Sequence, residues 1–425
     1  MIDTSRNMLY HIGNLNTENE RISYQMATGK ILDKGSDNSI LHSNIINLED
    51  KLRVTQGLML QITKTQAMNE TADTSLKEMK IALGGGEYGG GIQDDLLKAL
   101  NSGMDRSDKL AIATNLRGIR DNMIDRMNTR VDGEYVFTGS NTNVQTMEKD
   151  ADYANNGKVN YEGDGFLRKV AVQPGSYRDR GITAYDASFY TESKANAGES
   201  FTFNEGERII DENGFEWKLN VAGTQLQKYD YNGNIYHPLN TDPLLGDVTA
   251  VNIDVSTVAV EAWDGITPAV EPANPQAVRA TYTINNIGSS PTGKVFEAKH
   301  SYFDDLNIII NALEGKATNL DGTKAGTISD EAVRVSVAAG LEQNKKQFDA
   351  TNIGHGELGG RNSVFNVSYE KLTTQETHYN ILIQQTNGAD VAKLAMESKA
   401  LEMTYQSLYT TISKMNKLSL LDYIR

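Results

Sequence analysis

The residues best equipped for chemistry in this chain are few, and their spacing does not suit it. Six histidines, His11, His42, His237, His300, His355 and His378, form no metal-ligand spacing and no H-E-x-x-H. Each reads as an ordinary surface or packing histidine. Thr28-Gly29-Lys30 and Thr292-Gly293-Lys294 echo the end of a phosphate loop. Neither has the upstream glycine or the Ser/Thr after the lysine that phosphate and magnesium binding require. Six glycines at 84–91 surround Glu87-Tyr88, with no basic residue to hold a phosphate, and read as a flexible loop tip. Asp230-Tyr231-Asn232-Gly233 lacks the acidic series of a calcium loop. Asp304 and Asp305 are adjacent, so a helix points them apart. Zero cysteines exclude disulfides, thiolate metal sites and cysteine nucleophiles together. The expectation is a protein that is not an enzyme and uses no cofactor or metal. A glycan-cleaving activity would rest on no residue constellation.

Composition narrows the partners. The 425 residues are 39% hydrophobic and carry a net charge of -15. That charge argues against nucleic acid and anionic membrane surfaces. The longest strongly apolar stretch, Leu306–Leu313, contains two Asn and falls short of the ~20 apolar residues of a spanning helix, so no membrane insertion is expected. Met1-Ile2-Asp3-Thr4-Ser5-Arg6-Asn7 opens no apolar run of ~7–15 residues behind a basic flank. The expectation is a chain without a Sec-type signal peptide.

The elements that must position any site follow from proline. All seven prolines, Pro174, Pro238, Pro243, Pro268, Pro272, Pro275 and Pro291, lie in the middle. Since proline costs ~3 kcal/mol inside a helix, long Pro-free flanks suit long helices. Both tryptophans, Trp217 and Trp263, are also central. Met8, Ile12, Leu15, Ile22 and Met26 recur at helical steps, and Ser36 or Asp37 is placed to cap a second helix over 39–83. A third helix is expected over 109–131. Tyr135-Val136-Phe137-Thr138 is strand-like, and further strands are expected at 169–172, 200–203, 215–219, 248–255 and 279–284, with turns at Asn213-Gly214 and Asn232-Gly233. Helical spacing returns at 302–313, at 329–350, and again from about 358.

The last helix carries the clearest pattern. Val391, Ser398, Tyr405, Ile412 and Ser419 form one seven-residue series; Leu394, Leu401, Leu408 and Met415 form the other. Alternation of three and four over more than three heptads is a coiled-coil seam. Residues 1–34 are neutral and 391–425 carry +2, so 35–390 carries -17. Near-neutral ends suit packing against neighbours, and an acidic middle suits water. One seam facing one partner leaves the ends marginal, so several neighbours are expected around them. Intramolecular core is the bland alternative for such a stripe.

Several runs then resemble the flagellin-like axial proteins of bacteria, more narrowly the flagellar hook-associated protein 3 family. Gln25-Met26-Ala27-Thr28-Gly29-Lys30 followed by Gly35-Ser36-Asp37 is similar to that family's Gly-Lys turn and Ser-Asp helix start. Gly133-Glu134-Tyr135-Val136-Phe137-Thr138-Gly139-Ser140 resembles the run where the family leaves its first helical pair, and Tyr161-Glu162-Gly163-Asp164 the hairpin after it. Phe303-Asp304-Asp305-Leu306 with Ala312-Leu313 resembles the helix on the return path, and Gly359-Gly360-Arg361-Asn362 the start of the next. Asp390-Val391-Ala392, Tyr405-Gln406-Ser407-Leu408 and Leu418-Ser419-Leu420-Leu421-Asp422-Tyr423 resemble its closing helix. The proline often found in the family's Ser-Asp segment is missing.

The resemblance implies an elongated α+β multidomain chain: mainly α terminal arms, with coiled-coil helices and a long helical bundle, and a β-rich central insert. The expected division is 1–38 with 388–425 for assembly, 39–185 with 298–387 as helical bundle and β-hairpin, and 186–297 as outer domain. It further implies a structural subunit exported by the flagellar type III apparatus, held by an export chaperone and located on the extracellular flagellum. There it would form a homo-oligomeric ring between the first hook-associated protein and flagellin. Subunit packing would fall to Met8, Ile12, Leu15, Ile22, Met26, Val391, Leu394, Leu401, Tyr405, Leu408, Ile412, Met415, Leu418 and Leu421. The family-motif residues are Gly29, Lys30, Ser36, Asp37, Tyr135, Phe137 and Gly139. A flagellin or another axial protein is the near alternative. A surface adhesin acting through the insert is the distant one, motivated by Trp217, Tyr231, Tyr236 and Trp263.

Overall fold

The computed structural model describes residues 2–36, 38–84, 90–101, 103–196, 198–220, 224–230, 233–236, 250–252, 281–284, 295–319 and 321–423. Helices dominate both flanks. On the N-terminal side these are α1 (Ile2–Thr28), α2 (Ser39–Leu83), α3 (Gly91–Ala99) and α4 (Arg106–Met127). Strands then take over, separated by short helical turns: β1 (Arg130–Val131), β2 (Glu134–Tyr135), β3 (Met147–Lys149), α5 (Tyr153–Asn156), β4 (Val159–Tyr161), β5 (Arg168–Gln173), β6 (Ser176–Arg180) and α6 (Ala184–Ala187). The strand-rich centre holds β7 (Phe189–Asn196), β8 (Phe201–Asn204), β9 (Arg208–Asp211), β10 (Glu216–Leu219), β11 (Gln225–Tyr229), β12 (Ala250–Asn252), β13 (Thr281–Ile284) and β14 (Val295–Ser301). The return path is α7 (Tyr302–Leu313), β15 (Lys316–Thr318), β16 (Lys324–Thr327), α8 (Asp330–Asn387) and α9 (Val391–Tyr423). Mainly α flanks around a β-rich middle are therefore the observed fold class.

The chain divides into two compact units, one of residues 1–60 with 368–425 and one of residues 61–367. In the larger unit the apolar stripes of several helices converge. Leu76 and Met79 of α2, Leu96 of α3, Leu116 and Met127 of α4, and Val337 and Leu358 of α8 are all fully buried in one core. Helix α7 runs through that core and buries every residue except Asp304. A helix that is apolar almost all round has no other stable place.

A second core lies in the strand-rich centre. The sheet runs β12-β11-β10-β9-β14-β7, with antiparallel neighbours throughout. Ala195, Ile209, Trp217, Leu226, Phe296 and Ala298 of that sheet pack with Phe201, Phe203 and Ile284 of the β8–β13 pair. Asn213-Gly214 turns β9 into β10, with Gly214 at φ +87, where a side chain would be strained.

Four expectations change in the structure. Asn38 caps α2, through Leu41 N–H donating to Asn38 Oδ1 at 3.0 Å; Ser36 sits in the preceding turn, and Asp37 lies outside the described residues. Helix α4 starts at its Asp105 cap, whose carboxylate accepts from Asp108 N at 2.9 Å, and stops before β1, earlier than 131. Val136–Thr138 leave the ladder after β2, because their carbonyls serve other partners: Phe137 O accepts from Ala184 N at 2.9 Å and Thr138 O from Asp164 N at 2.9 Å. Finally α8 is one helix of 58 residues, without the expected break between 350 and 358. Its Gly354 is required by packing, since a Cβ there would stand 2.6 Å from Asp186 O. Buried Leu358 and Phe365 then carry the helix past Gly359 and Gly360, which lie in its interior and do not start a new helix.

Candidate assembly site

The terminal helices are joined by their ends. Gly29, at φ +68, closes α1 by donating its N–H to Gln25 O at 2.9 Å. Past that turn the chain is extended, and Lys30 forms an antiparallel bridge with Gly388. Ile31 N donates to Asn387 O at 2.8 Å, Ala389 N to Gly29 O at 2.9 Å, and Leu32 N to Asn387 Oδ1 at 3.3 Å. The Gly-Lys turn is thus half of a clamp whose other half is Asn387-Gly388. Asp390 caps α9, accepting from Ala392 N at 3.0 Å and Lys393 N at 3.1 Å.

Above that clamp α1 and α9 meet along a thin seam. Ile22 and Leu394 are buried, at 3% and 4% exposure. Ile12 and Leu15 on α1 and Leu401, Tyr405, Leu408 and Ile412 on α9 are half-buried. Polar contacts complete the seam: Tyr405 OH donates to Asn16 Oδ1 at 2.7 Å, and Arg21 Nη2 pairs with Glu397 Oε2 at 3.0 Å. Met26 and Val391, expected in the seam, are 47% and 60% exposed. The side chains of Met8, Met415, Leu418 and Leu421 lie outside the described residues. A second apolar set faces away from the seam and was missed by the heptad count: Leu9, Tyr10, Met396, Met403 and Tyr409 are each 60% or more exposed. Its signal in the sequence is the seven-residue step from Met396 to Met403, out of phase with Leu394 and Leu401.

The remaining motif runs lock together inside the larger unit. Asp132 and Gly133, with φ of 53 and 84, form the tight turn between β1 and β2. Tyr135 is buried beneath the Arg130 guanidinium, 3.9 Å from its ring centroid, and Phe137 is fully buried in the core. Tyr161 OH donates to Asp164 O at 2.8 Å and lies 3.1 Å from Phe137 O. The Asp164 carboxylate accepts from Ser140 N at 2.9 Å, Ser140 Oγ at 2.6 Å and Phe166 N at 2.8 Å. Gly139, at φ +82, passes so close that a Cβ would collide with Asp164. The runs 133–140 and 161–164 are therefore one interlocked knot. Burial drives the Tyr161 hydroxyl well above its ordinary pKa, so it remains a neutral donor. Beside the knot, burial pushes the Glu134 carboxyl up, but Arg180 and Arg168, at 2.9 and 3.0 Å, outweigh it and hold it below the usual range.

Trp217 is buried at 2% exposure, with Nε1 donating to Asp211 Oδ2 at 3.1 Å, and Tyr236 is half-buried. This removes the Trp217 motive for a binding module; Tyr231 and Trp263 lie outside the described residues. Among the described residues no three His, Asp or Glu side chains gather as a metal cluster, and no helix is long and apolar enough to cross a membrane.

No protein-family model matches the chain, and no curated protein matches it. Solved structures do. The chain is similar to flagellar hook associated protein-3 from Legionella pneumophila, at 14% identity, over 85% of this chain and 99% of that one, with a TM-score of 0.37. It is similar to the flagellar junction protein FlgL from the same organism, at 14% identity over 79% and 99%, TM-score 0.35. It is also similar to FlgL of Xanthomonas campestris, at 14% identity over 78% of this chain and 99% of that one, with a TM-score of 0.43.

Proposed function

We propose that this chain is a structural subunit of the bacterial flagellum, forming the junction ring between hook and filament. The observation that supports it most is that the motif runs quoted above act as units: Gly29-Lys30 clamps Asn387-Gly388, and 133–140 interlocks with 161–164. Runs that resemble the family at scattered positions are thus the joints that hold this fold. In this reading 1–38 with 388–425 form the assembly region, 39–185 with 298–387 the helical bundle, and 186–297 the outer domain. The seam of Ile12, Leu15, Ile22, Leu394, Leu401, Tyr405, Leu408 and Ile412 pairs the two ends of one subunit. The outward set of Leu9, Tyr10, Met396, Met403 and Tyr409 is left for sister subunits, the first hook-associated protein and flagellin. Before assembly the ends are held by an export chaperone. The working mechanism is packing, with no reacting group.

Electron microscopy of cells lacking this chain tests the proposal. Hooks without filaments are expected, with monomeric flagellin released to the medium. Filaments of normal length on those cells would overturn it.

A further inference from the structure

At the boundary between the two cores of the larger unit lies a cluster of polar side chains. Ala298 belongs to the strand-rich core and Tyr302 to the helical one. His300, the residue midway between them, is 6% exposed. Its Nε2 is 2.9 Å from Asp305 Oδ1 on α7, and its Nδ1 is 3.9 Å from Glu207 Oε1 in the β8–β9 loop. Both carboxylate side chains are 1% exposed. Tyr190 of β7 donates its hydroxyl to Asp305 Oδ2 at 2.8 Å, and its ring lies 5.4 Å from the imidazole. Asn204 donates to both oxygens of Glu207, from N at 2.9 Å and from Nδ2 at 2.8 Å.

The donors and acceptors decide how this set is charged. Each carboxylate is held as an acceptor by Tyr190 or by Asn204, and each also faces the histidine, Asp305 at hydrogen-bond distance and Glu207 at the longer 3.9 Å of an ion pair. A neutral imidazole that donates to Asp305 turns a lone pair toward Glu207, whereas the imidazolium carries an N–H on both sides, donating to Asp305 and attracting Glu207 as a charge. Among the described residues, the cations nearby are engaged with other groups. Lys346 of α8 has Nζ 5.7 Å from the Tyr190 ring centroid but pairs with Glu192 at 3.0 Å. Arg208 turns to Tyr185 OH at 3.2 Å and Glu216 at 3.5 Å. Lys299 pairs with Glu297 at 2.8 Å. Asp304, half-buried on α7, adds negative charge.

We propose that His300 is a proton-dependent clasp between the strand-rich centre and the helical body, closed while the imidazole is protonated and loosened when it gives up that proton. Protonated, it ties the β8–β9 loop through Glu207 to α7 through Asp305. Deprotonated, it leaves both buried carboxylates without their counter-charge. A histidine whose folded pKa lies above its unfolded value contributes stability that is complete below about pH 6.5 and is lost as pH rises through the folded midpoint. The boundary is therefore tightest in mild acid and weakens in base.

The test follows the His300 Cε1–H signal of the full chain, labelled with ¹³C-histidine, from pH 5 to 10. A midpoint above about 7.5 is expected, at least about one pH unit above free imidazole. Asp305→Asn and Glu207→Gln each lower it by about one unit or more. The thermal midpoint of the wild type falls across that same titration, and His300→Gln shows no such step. A wild-type midpoint below about 7.5 overturns the clasp, as does an equal pH dependence in His300→Gln. The wild-type titration decides the matter even where a variant does not fold.

Discussion

In the helical body, stripes from α2, α3, α4 and α8 converge on α7, and side chains such as Leu306 and Ile309 are completely buried. In the terminal pair, stripes of comparable spacing meet each other, and among the described seam residues Ile22 and Leu394 are buried while the rest are half-buried or exposed. Burial therefore follows the number of neighbours a helix has, and the regularity of its heptads does not predict it. Among the described residues, the most regular stripe of the sequence, on α9, is among the least covered. A helix in that condition keeps apolar surface open to water, as Met396, Met403 and Tyr409 do.

Three substitutions sharpen this contrast. Leu306→Ala should cost the isolated chain about 2–5 kcal/mol, since the site is enclosed on all sides and cannot collapse; the denaturant midpoint measures it. Asp164→Ala should cost about 1–3 kcal/mol, because the N–H groups of Ser140 and Phe166 lose their acceptor. Amides of 133–140 and 161–166 should then exchange faster with deuterium than those of α4. Leu408→Asp should change the isolated chain by less than about 1 kcal/mol, as the site is half open to water. The same change should abolish assembly, where burying an unpaired carboxylate is costly. A stability loss as large as that of Leu306→Ala would erase the distinction between the two regions, and normal motility would remove the seam from assembly.

Much of the architecture is legible in the sequence. Confinement of proline to 174–291 separated helical flanks from a strand-rich middle, because proline can be accommodated at strand edges and turns but not within a helix. Several details were not legible. Helix α3 has only nine residues behind a glycine run, too few for a period to stand out. The continuity of α8 through Gly354, Gly356, Gly359 and Gly360 contradicts local propensity and is imposed by Leu358, Phe365 and the approach of Asp186 to Gly354. The outward set on α9 shares its helix with the seam, and a heptad count ranks only the better of two stripes.

What the sequence by itself determined is local: which segments turn, cap and coil, because glycine, proline, aspartate and apolar spacing act within a few residues. What only the tertiary structure decided is which distant groups meet. Gly29 with Ala389, Ser140 with Asp164, and His300 with both Glu207 and Asp305 are contacts of high sequence separation or of side-chain direction. They exist because folding brought these groups within reach of one another, and each donor there found an acceptor.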